Sequence, residues 1–354
     1  MPPPLFSILL PTRNRSEIVG DAIQSVLNQT CGDFEIVVSD NDESPTKTRE
    51  AVAKFSDSRI RYFRTAGNLP MHDNWENAFN QSSGEYVLIL EDKQRLVSNA
   101  LEILRYWFNE HGPVPISYEI RFARTERIPD PKKFPRLERW SSHEAIELFC
   151  RFEQKFFNLL PKSLDSCAPR RLLVELKAKS PTGMLYSHIS PDYASGFMTL
   201  AAVPEFFYSP SSLVYIPNNW MWQGKYSNGQ SSFRKTESYR KFLSELPVTR
   251  EDILRNVPVK TEFLWINSVL YDFFTFYKRT GPPPQIHWPS YYGFCAYLIL
   301  MGRKLGADLR DEIAEFKRAL HAESFATKMR VAANIARRVA RLGWQLATRL
   351  WRSD

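Results

Sequence analysis

The sequence lacks the motifs and runs that mark several large classes of protein. Its four cysteines are scattered and form no CxxC pair, which argues against a zinc site or a disulfide framework. Neither the GxGxxG motif of dinucleotide-binding domains nor the GxxxxGKS/T motif of P-loop enzymes is present. No run of about eighteen apolar residues occurs, so no bilayer-spanning helix is predicted. The apolar run at 5–10 is too short and interrupted for a signal peptide.

The composition is that of a globular protein, with an excess of positive charge. Of the 354 residues, 43% are hydrophobic and 24% charged, and the formal net charge is +8. A basic chain favours an anionic partner such as a nucleotide or a phospholipid headgroup. No nucleic-acid-binding motif accompanies the charge, so binding of DNA or RNA is not expected.

Short apolar runs alternate with helical patterns in the first half of the chain. Each run is rich in β-branched and aromatic residues and is too short for a helix, which is typical of strands buried on both faces. The predicted strands are at 6–10, 34–38, 60–63 and 86–90. Strands alternating with helices at this spacing predict an α/β fold with a doubly wound, mostly parallel sheet.

Polar side chains follow three of these strands at the point where each strand ends. They are Thr12 with Asn14, the run 40–42, and Glu91 with Asp92. The carboxyl ends of parallel strands meet at one edge of a sheet, where ligands bind. Carboxylate and amide oxygens there suit a base, a ribose and a divalent cation. The alternative is a set of solvated loops.

Four blocks of the sequence together resemble the opening of a family 2 glycosyltransferase. They are FSILLPTRNR at 6–15, AIQSVLNQT at 22–30, FEIVVSD at 34–40 and GEYVLILED at 84–92, and their mutual spacing also fits. The resemblance is strong over about 5–110, continues to about 235 and then fades. It implies a GT-A fold, a nucleotide-diphosphate sugar donor and inversion at the anomeric carbon.

The resemblance also implies roles for single residues. Asn41 stands where the family usually has a second aspartate, and Lys93 where a further aspartate is common. Asp92 matches the usual metal ligand, so manganese or magnesium is the expected cofactor, and Lys93 would either compete with that ion or assist it. The implied nucleotide-sugar-binding residues are Pro11, Thr12, Asn14, Asp40, Asn41, Glu91, Asp92 and Lys93.

Asp192 is the general base that the resemblance implies, because it matches the aspartate of a Pro-Asp pair in the family. Such a carboxylate would take the proton of the acceptor hydroxyl on the side opposite the leaving nucleotide. The alternative is a helix N-cap, and both roles are compatible. Asp165 and Glu205 are the replacement candidates, and His188 is expected to be structural.

The second half of the chain is less informative. The segment 206–233 is rich in aromatic and turn residues, and it is either an acceptor lid or core packing. The lid candidates are Trp220, Trp222 and Tyr226. We expect a glycosyltransferase domain at 1–235, with a nucleotide-binding half at 1–110 and an acceptor half at 111–235, and a helical extension at 236–354.

The C-terminal segment 326–352 is predicted to be an amphipathic helix. It carries seven basic residues and no acid, with apolar residues on one side. This pattern favours attachment to an anionic membrane surface. The alternatives are a docked helix and a dimer contact. The expected location is cytoplasmic, with peripheral attachment to the inner face of the membrane.

The favoured function is therefore that of an inverting glycosyltransferase acting on a glycan or lipid-linked glycan, as in envelope polysaccharide synthesis. The alternative is a GT-A-fold protein that binds a nucleotide sugar or glycan and has lost catalysis at 91–93. A nucleotidyltransferase would need a glycine-rich loop after the first strand, and 11–16 has no glycine.

Overall fold

The structure is a computed structural model, and it describes residues 2–123, 136–187, 189–217, 237–278, 284–304 and 306–350. Residues 238, 239 and 341–350 are described by their backbone alone. The described residues form two compact units. The first comprises those within 1–145, 157–226 and 272–280, and the second those within 146–156, 227–271 and 281–354.

The strands of the first unit pair in one mixed sheet. They are β1 (Phe6–Thr12), β2 (Phe34–Asp40), β3 (Ile60–Arg64), β4 (Tyr86–Ile89), β5 (Arg95–Leu96), β6 (Ile116–Ala123), β7 (Glu138–Ser141), β8 (Ser166–Pro169) and β9 (Glu205–Pro217). The order is β3-β2-β1-β4-β8-β6-β9-β5, and β7 pairs with β9.

Helices flank this sheet and make up most of the C-terminal region. They are α1 (Ser16–Leu27), α2 (Lys47–Val52), α3 (Met71–Asn80), α4 (Ala100–His111), α5 (Ser142–Cys150), α6 (Gln154–Leu159), α7 (Arg170–Lys179), α8 (Pro191–Ala202), α9 (Glu237–Ser244), α10 (Arg250–Leu254), α11 (Ile266–Phe276), α12 (Trp288–Lys304), α13 (Arg310–His321) and α14 (Phe325–Leu350). Within the described part of the chain, none of the helices has the length and apolar character needed to cross a membrane.

The predicted α/β class, with flanking helices and a helical C-terminal region, is confirmed. β1, β2 and β4 are buried along their whole length, as their apolar runs predicted. The sheet is less parallel than predicted. β1 to β4 pair in parallel, whereas β8 runs antiparallel to both β4 and β6. Strands as short as β5 and β8 give no periodic signal in a sequence.

The segment 142–159 forms two separate helices, α5 and α6. Between them Phe152 has a φ of +54°, in the left-handed region where a helix of L-residues cannot continue. Its fully buried ring packs against Phe149, with 5.8 Å between ring centres, and against Tyr291 at 5.7 Å. Aromatic packing within the second unit therefore stabilises the interruption between α5 and α6.

Gly84 lets β4 begin directly against β1. A Cβ here would lie 2.6 Å from the Ser7 backbone nitrogen and 2.7 Å from the Phe6 carbonyl carbon, so a side chain is excluded. The pairing that follows sets Leu9 opposite Ile89, and on the other side of β1 it sets Thr12 opposite Asp40. The carboxyl ends of β1, β2 and β4 thus meet at one edge of the sheet.

α14 packs on α12 through one side of its described part. Val331 is buried, the Asn334 amide donates to Ser290 Oγ at 3.1 Å, and the Arg338 guanidinium lies 5.2 Å from the centre of the Phe294 ring. Both helices belong to the second unit. This part of α14 is therefore a docked helix with one side left exposed.

Candidate functional site

Three of the predicted site residues lie together where β1, β2 and β4 end. Thr12 and Asp40 are register partners, and Thr12 Oγ1 donates a hydrogen bond of 2.9 Å to Asp92 Oδ2. All three side chains are buried. The convergence expected from the order of strands and polar residues is present in the structure.

Asp92 is held on every side by groups of the protein. Its second oxygen, Oδ1, accepts a hydrogen bond of 2.8 Å from Arg15 Nη1. Its backbone carbonyl accepts one of 2.9 Å from the buried Arg95. The Asp92 side chain is only 2% exposed, whereas that of Arg15 is 24% exposed. The guanidinium therefore lies on the solvent side of this ion pair.

Glu91 and Lys93 pair with each other in the turn that follows β4. The Lys93 ammonium lies 3.1 Å from Glu91 Oε2, and both side chains are about one-fifth exposed. The turn is closed by Gln94, whose N–H donates to the Glu91 carbonyl at 2.8 Å and whose side-chain oxygen accepts from Glu91 N–H at 2.9 Å. The lysine thus neutralises one carboxylate of the acidic pair.

The Asp40 carboxylate binds inward, to the neighbouring strand and the following turn. It accepts hydrogen bonds from the Tyr62 hydroxyl, from Arg64 Nη1 at 3.0 Å and from the Asp42 N–H at 2.8 Å. Burial and this carboxylate raise the pKa of Tyr62, which remains a donor at neutral pH. Asp40 therefore fixes the shape of the strand end.

The side-chain amide of Asn41 forms hydrogen bonds with the segment that leads into α3. Its Oδ1 accepts from Thr65 Oγ1 at 2.7 Å and from Leu69 N–H at 2.9 Å, and its Nδ2 donates to the Leu69 carbonyl at 2.8 Å. The side chain is buried. The amide is thus engaged in ordering the 65–69 segment at the sheet edge.

Asn14 and Asp42 join the loops after β1 and β2. Asn14 has a φ of +55°, its Oδ1 accepts from Glu43 N–H at 3.0 Å, and its own N–H donates to Asp42. Asp42 also accepts a 2.6 Å hydrogen bond from Thr48. Asp42 is absent from the residues inferred from the family, although it belongs to the acidic run after the second strand. Pro11 lies in β1, opposite Ser39.

The residues at this edge do not fit a divalent cation in their present arrangement. Both oxygens of Asp92 already accept hydrogen bonds, and one oxygen of Glu91 pairs with Lys93. Across the described ranges, no group of three His, Cys, Asp or Glu is placed to hold a metal. Magnesium and manganese need several oxygen ligands, which these side chains would supply only after exchanging their partners.

Asp192 lies in the first turn of α8, where Ser190 occupies the N-cap position. The aspartate is half-buried. Burial raises the pKa of Asp192, the charge of Lys162 opposes that rise, and the charge of Glu91 adds to it. The charges of Lys162 and Glu91 therefore act on the Asp192 carboxylate in opposite directions.

Lys162, Asp165 and Asp272 surround this part of α8. Lys162 Nζ lies 2.9 Å from Asp165 Oδ2 and donates to the Phe157 carbonyl at 2.9 Å. Burial raises the pKa of Asp165 to about 7 against the opposing effect of Lys162, and its Oδ1 has no hydrogen-bond partner. Asp272 Oδ2 accepts from Ser190 N–H at 3.1 Å. Lys162 and Asp272 were missed because they approach Asp192 only in the folded chain.

Of the remaining site candidates from the sequence, the structure describes only Glu205. Glu205 forms an ion pair with Arg139 of β7. Trp220, Trp222, Tyr226 and His188 lie outside the described residues.

The fold and the strand-end residues agree with a comparison against known families. Residues 7–172 match the model of Glycosyl transferase family 2, so this region of the chain is similar to members of that family. The match ends before Asp192.

Two curated relatives are similar over the same region. The first is the GalNAc(5)-diNAcBac-PP-undecaprenol beta-1,3-glucosyltransferase of Campylobacter jejuni, 32% identical over 46% of this chain and 53% of that protein. The second is an Escherichia coli UDP-Glc:alpha-D-GlcNAc-diphosphoundecaprenol beta-1,3-glucosyltransferase, 32% identical over 28% of this chain and 39% of that one. The chain therefore spans about half or less of the length of these relatives.

Solved structures give a weaker likeness. Staphylococcus aureus TarS 1–349 in complex with UDP-GlcNAc aligns over 93% of this chain and 89% of that chain, with 14% identity and a TM-score of 0.49. A mannosyltransferase from Pyrobaculum calidifontis in complex with GDP-Man and Mn²⁺ aligns over 94% and 80%, with 13% identity and a TM-score of 0.46. Neither likeness is strong enough to bear on function.

Proposed function

We propose that this protein is an inverting glycosyltransferase that moves a sugar from a nucleotide-diphosphate sugar to a hydroxyl group. The bond from the anomeric carbon to the diphosphate breaks, a bond to the acceptor oxygen forms, and the proton of the hydroxyl passes to Asp192. The negative charge leaves with the nucleoside diphosphate. Residues 1–235 are proposed as the catalytic domain, together with 272–280 of the same compact unit.

Donor binding is proposed at the edge where β1, β2 and β4 end. Thr12, Asp40 and Asp92 meet there, with Asn14 and Asn41 in the adjoining loops. The match of residues 7–172 to the family model supports this assignment. A manganese or magnesium ion at Asp92 would require that carboxylate to give up its contacts with Thr12 and Arg15.

The observation that most supports transfer, as opposed to binding alone, is the position of Asp192. The Asp192 carboxylate is half-buried at the start of α8 and experiences the charge of Glu91 at the strand ends, which supports a position near the proposed donor site. Burial raises the pKa of Asp192, and a more basic carboxylate is a better acceptor for a hydroxyl proton. The alternative is a binding protein without catalysis, which the pairing of Glu91 with Lys93 favours.

Transfer itself is the first prediction. The protein should release nucleoside diphosphate from one nucleotide sugar when an undecaprenyl-diphosphate-linked saccharide is supplied, because the curated relatives bear the names of such enzymes. Release is measured by a coupled assay over a panel of UDP- and GDP-sugars, with Asp192→Asn protein as the control. Saturable binding of a donor without release of nucleoside diphosphate, for every nucleotide sugar in the panel, would favour the binding protein.

An acceptor in the membrane would explain the exposed apolar side chains of α14. Phe325, Met329 and Val339 are 79%, 56% and 49% exposed and lie on one side of the helix, with small alanines between them. Arg330 and Arg337 are exposed, and both lie to the same side of this stripe. An apolar stripe bordered by cations is what an anionic lipid surface binds. We therefore propose peripheral attachment through this side of α14, the one that faces away from α12.

The second prediction tests that attachment. Full-length protein should sediment with vesicles containing anionic phosphatidylglycerol, and sedimentation should weaken with salt because surface charges are screened over about 10 Å at 0.1 M salt. Phe325→Ser with Met329→Ser should abolish it while leaving the contacts of α14 with α12 in place. A matched change on an exposed helix elsewhere, Val174→Ser, serves as the control. Equal sedimentation of all three proteins would contradict the proposal.

A further inference from the structure

The charges at the end of β4 suggest how a donor diphosphate is neutralised. In this part of the site every carboxylate has a protein cation beside it. Arg15 pairs with Asp92 at 2.8 Å, and Lys93 pairs with Glu91 at 3.1 Å. The two pairs together contain two cations and two anions. The charged groups nearest to the solvent are the ones that an incoming ligand contacts first.

The Arg15 guanidinium lies on the outer side of its pair. The Asp92 side chain is 2% exposed and that of Arg15 is 24% exposed, so a ligand arriving from solvent reaches the guanidinium and not the carboxylate. The Lys93 side chain is 20% exposed, close to the 21% of the Glu91 side chain. An anion can therefore approach both cations, whereas a divalent ion would have to displace Arg15 to reach Asp92.

Asp92 also acts as an anchor. It receives the Thr12 hydroxyl on one oxygen and Arg15 on the other, while Arg95 holds its backbone carbonyl. A guanidinium fixed by a buried carboxylate has little freedom to lose when it binds phosphate, and the planar guanidinium matches the geometry of phosphate oxygens. The carboxylate thus positions the cation for an incoming phosphate.

We propose that Arg15 and Lys93 bind the diphosphate of the donor and occupy the role that a divalent cation would have, so that donor binding needs no metal. This inference rests on the proposed function, since it names the groups that neutralise the leaving nucleoside diphosphate. Negative charge grows on the diphosphate as the glycosidic bond breaks, and fixed cations stabilise it there without reorganisation.

The experiment is a calorimetric titration of the full chain with UDP and with GDP, in EDTA and in manganese or magnesium. For the nucleotide that binds, the Kd in EDTA should lie within about twofold of the Kd with either metal. Lys93→Met and Arg15→Met should each weaken binding in EDTA by about tenfold or more, the loss of one charge-assisted hydrogen bond. Arg59→Met is the matched control, because Arg59 pairs with Asp57 at the opposite end of β3.

A reversed charge gives the sharpest readout. Lys93→Asp adds a third carboxylate next to Glu91 and Asp92, so binding should weaken in EDTA and recover when manganese is added, whereas wild-type binding should be the same with and without metal. Because Lys93 is partly exposed, this variant should fold even if Arg15→Met does not.

The outcomes distinguish failure of the metal-free role of these cations from failure of the proposed function. Wild-type binding that needs manganese, or Lys93→Met protein that binds as tightly as wild type, would overturn the metal-free role of these cations and leave the proposed function standing. If no nucleotide or nucleotide sugar binds with or without metal, the proposed function itself is wrong.

Discussion

Asp192→Asn protein is expected to bind the donor normally and to lose about two to four orders of magnitude in kcat, the usual contribution of a general base. Asparagine keeps the size of the side chain and its place in the first turn of α8, but it cannot accept the proton of the acceptor hydroxyl. Asp192 is not the N-cap of that helix, so the change removes no capping group. The measurement is kcat in the transfer assay, alongside the Kd for the donor.

The pH dependence of the wild-type enzyme gives the same residue a second test. The base must be ionised to accept a proton. Burial raises the pKa of Asp192, and the charge of Glu91 raises it further, while the charge of Lys162 partly opposes the rise. The rate should therefore fall as the pH drops through a value above the ordinary aspartate pKa of about 3.9. This acid limb should be absent from the residual activity of Asp192→Asn protein.

Glu205→Gln is the matched control for this variant, because Glu205 is a replacement candidate for the base and forms an ion pair with Arg139. It should retain both the rate and the acid limb. Near-normal transfer by Asp192→Asn, or a large loss in Glu205→Gln, would remove Asp192 from the mechanism.

Local patterns in the sequence predicted the part of the site that the strands themselves position. Thr12, Asp40 and Asp92 each follow an apolar run, and the geometry of parallel strands is enough to bring them together. The same reasoning could not find Arg15 as the partner of Asp92. The two are separated by 77 positions, and the direction of a long side chain depends on its contacts in the folded state.

The surroundings of Asp192 were beyond prediction for a related reason. Asp272 lies 82 positions from Ser190, to whose N–H it is hydrogen-bonded, and no periodicity links the two segments. On α14 the apolar pattern correctly indicated an amphipathic helix, but it could not show that the Asn334 amide contacts α12. In the structure that amide donates to Ser290 on α12, because a short polar side chain can satisfy itself at a helix contact.

Lys162→Met protein should be less stable than wild type by about 3–5 kcal/mol, the cost of leaving one member of a buried ion pair without its partner. The Lys162 and Asp165 side chains are only 13% and 8% exposed, so water can do little to replace the lost cation. Asp165 already has one oxygen without a hydrogen-bond partner, and the same change removes the donor to the Phe157 carbonyl. The thermal unfolding midpoint should fall by several degrees.

A double variant and a control separate this effect from a simple loss of packing. Lys162→Met with Asp165→Leu removes both charges, and such replacements are often neutral or stabilising, so the double variant should recover much of the lost stability. Lys179→Met, at the exposed end of α7, should leave the midpoint unchanged. A double variant less stable than Lys162→Met alone would show that the pair is not the source of the loss.

The same lysine should also set the acid limb of the transfer reaction. Its charge lowers the pKa of Asp192 against the effect of burial, so its removal should raise that pKa and move the acid limb to higher pH. This shift is measured with Lys162→Met protein at a temperature where it is folded. A role of Lys162 in stability alone would lower the melting temperature without moving the limb, whereas a role beside the base predicts both changes.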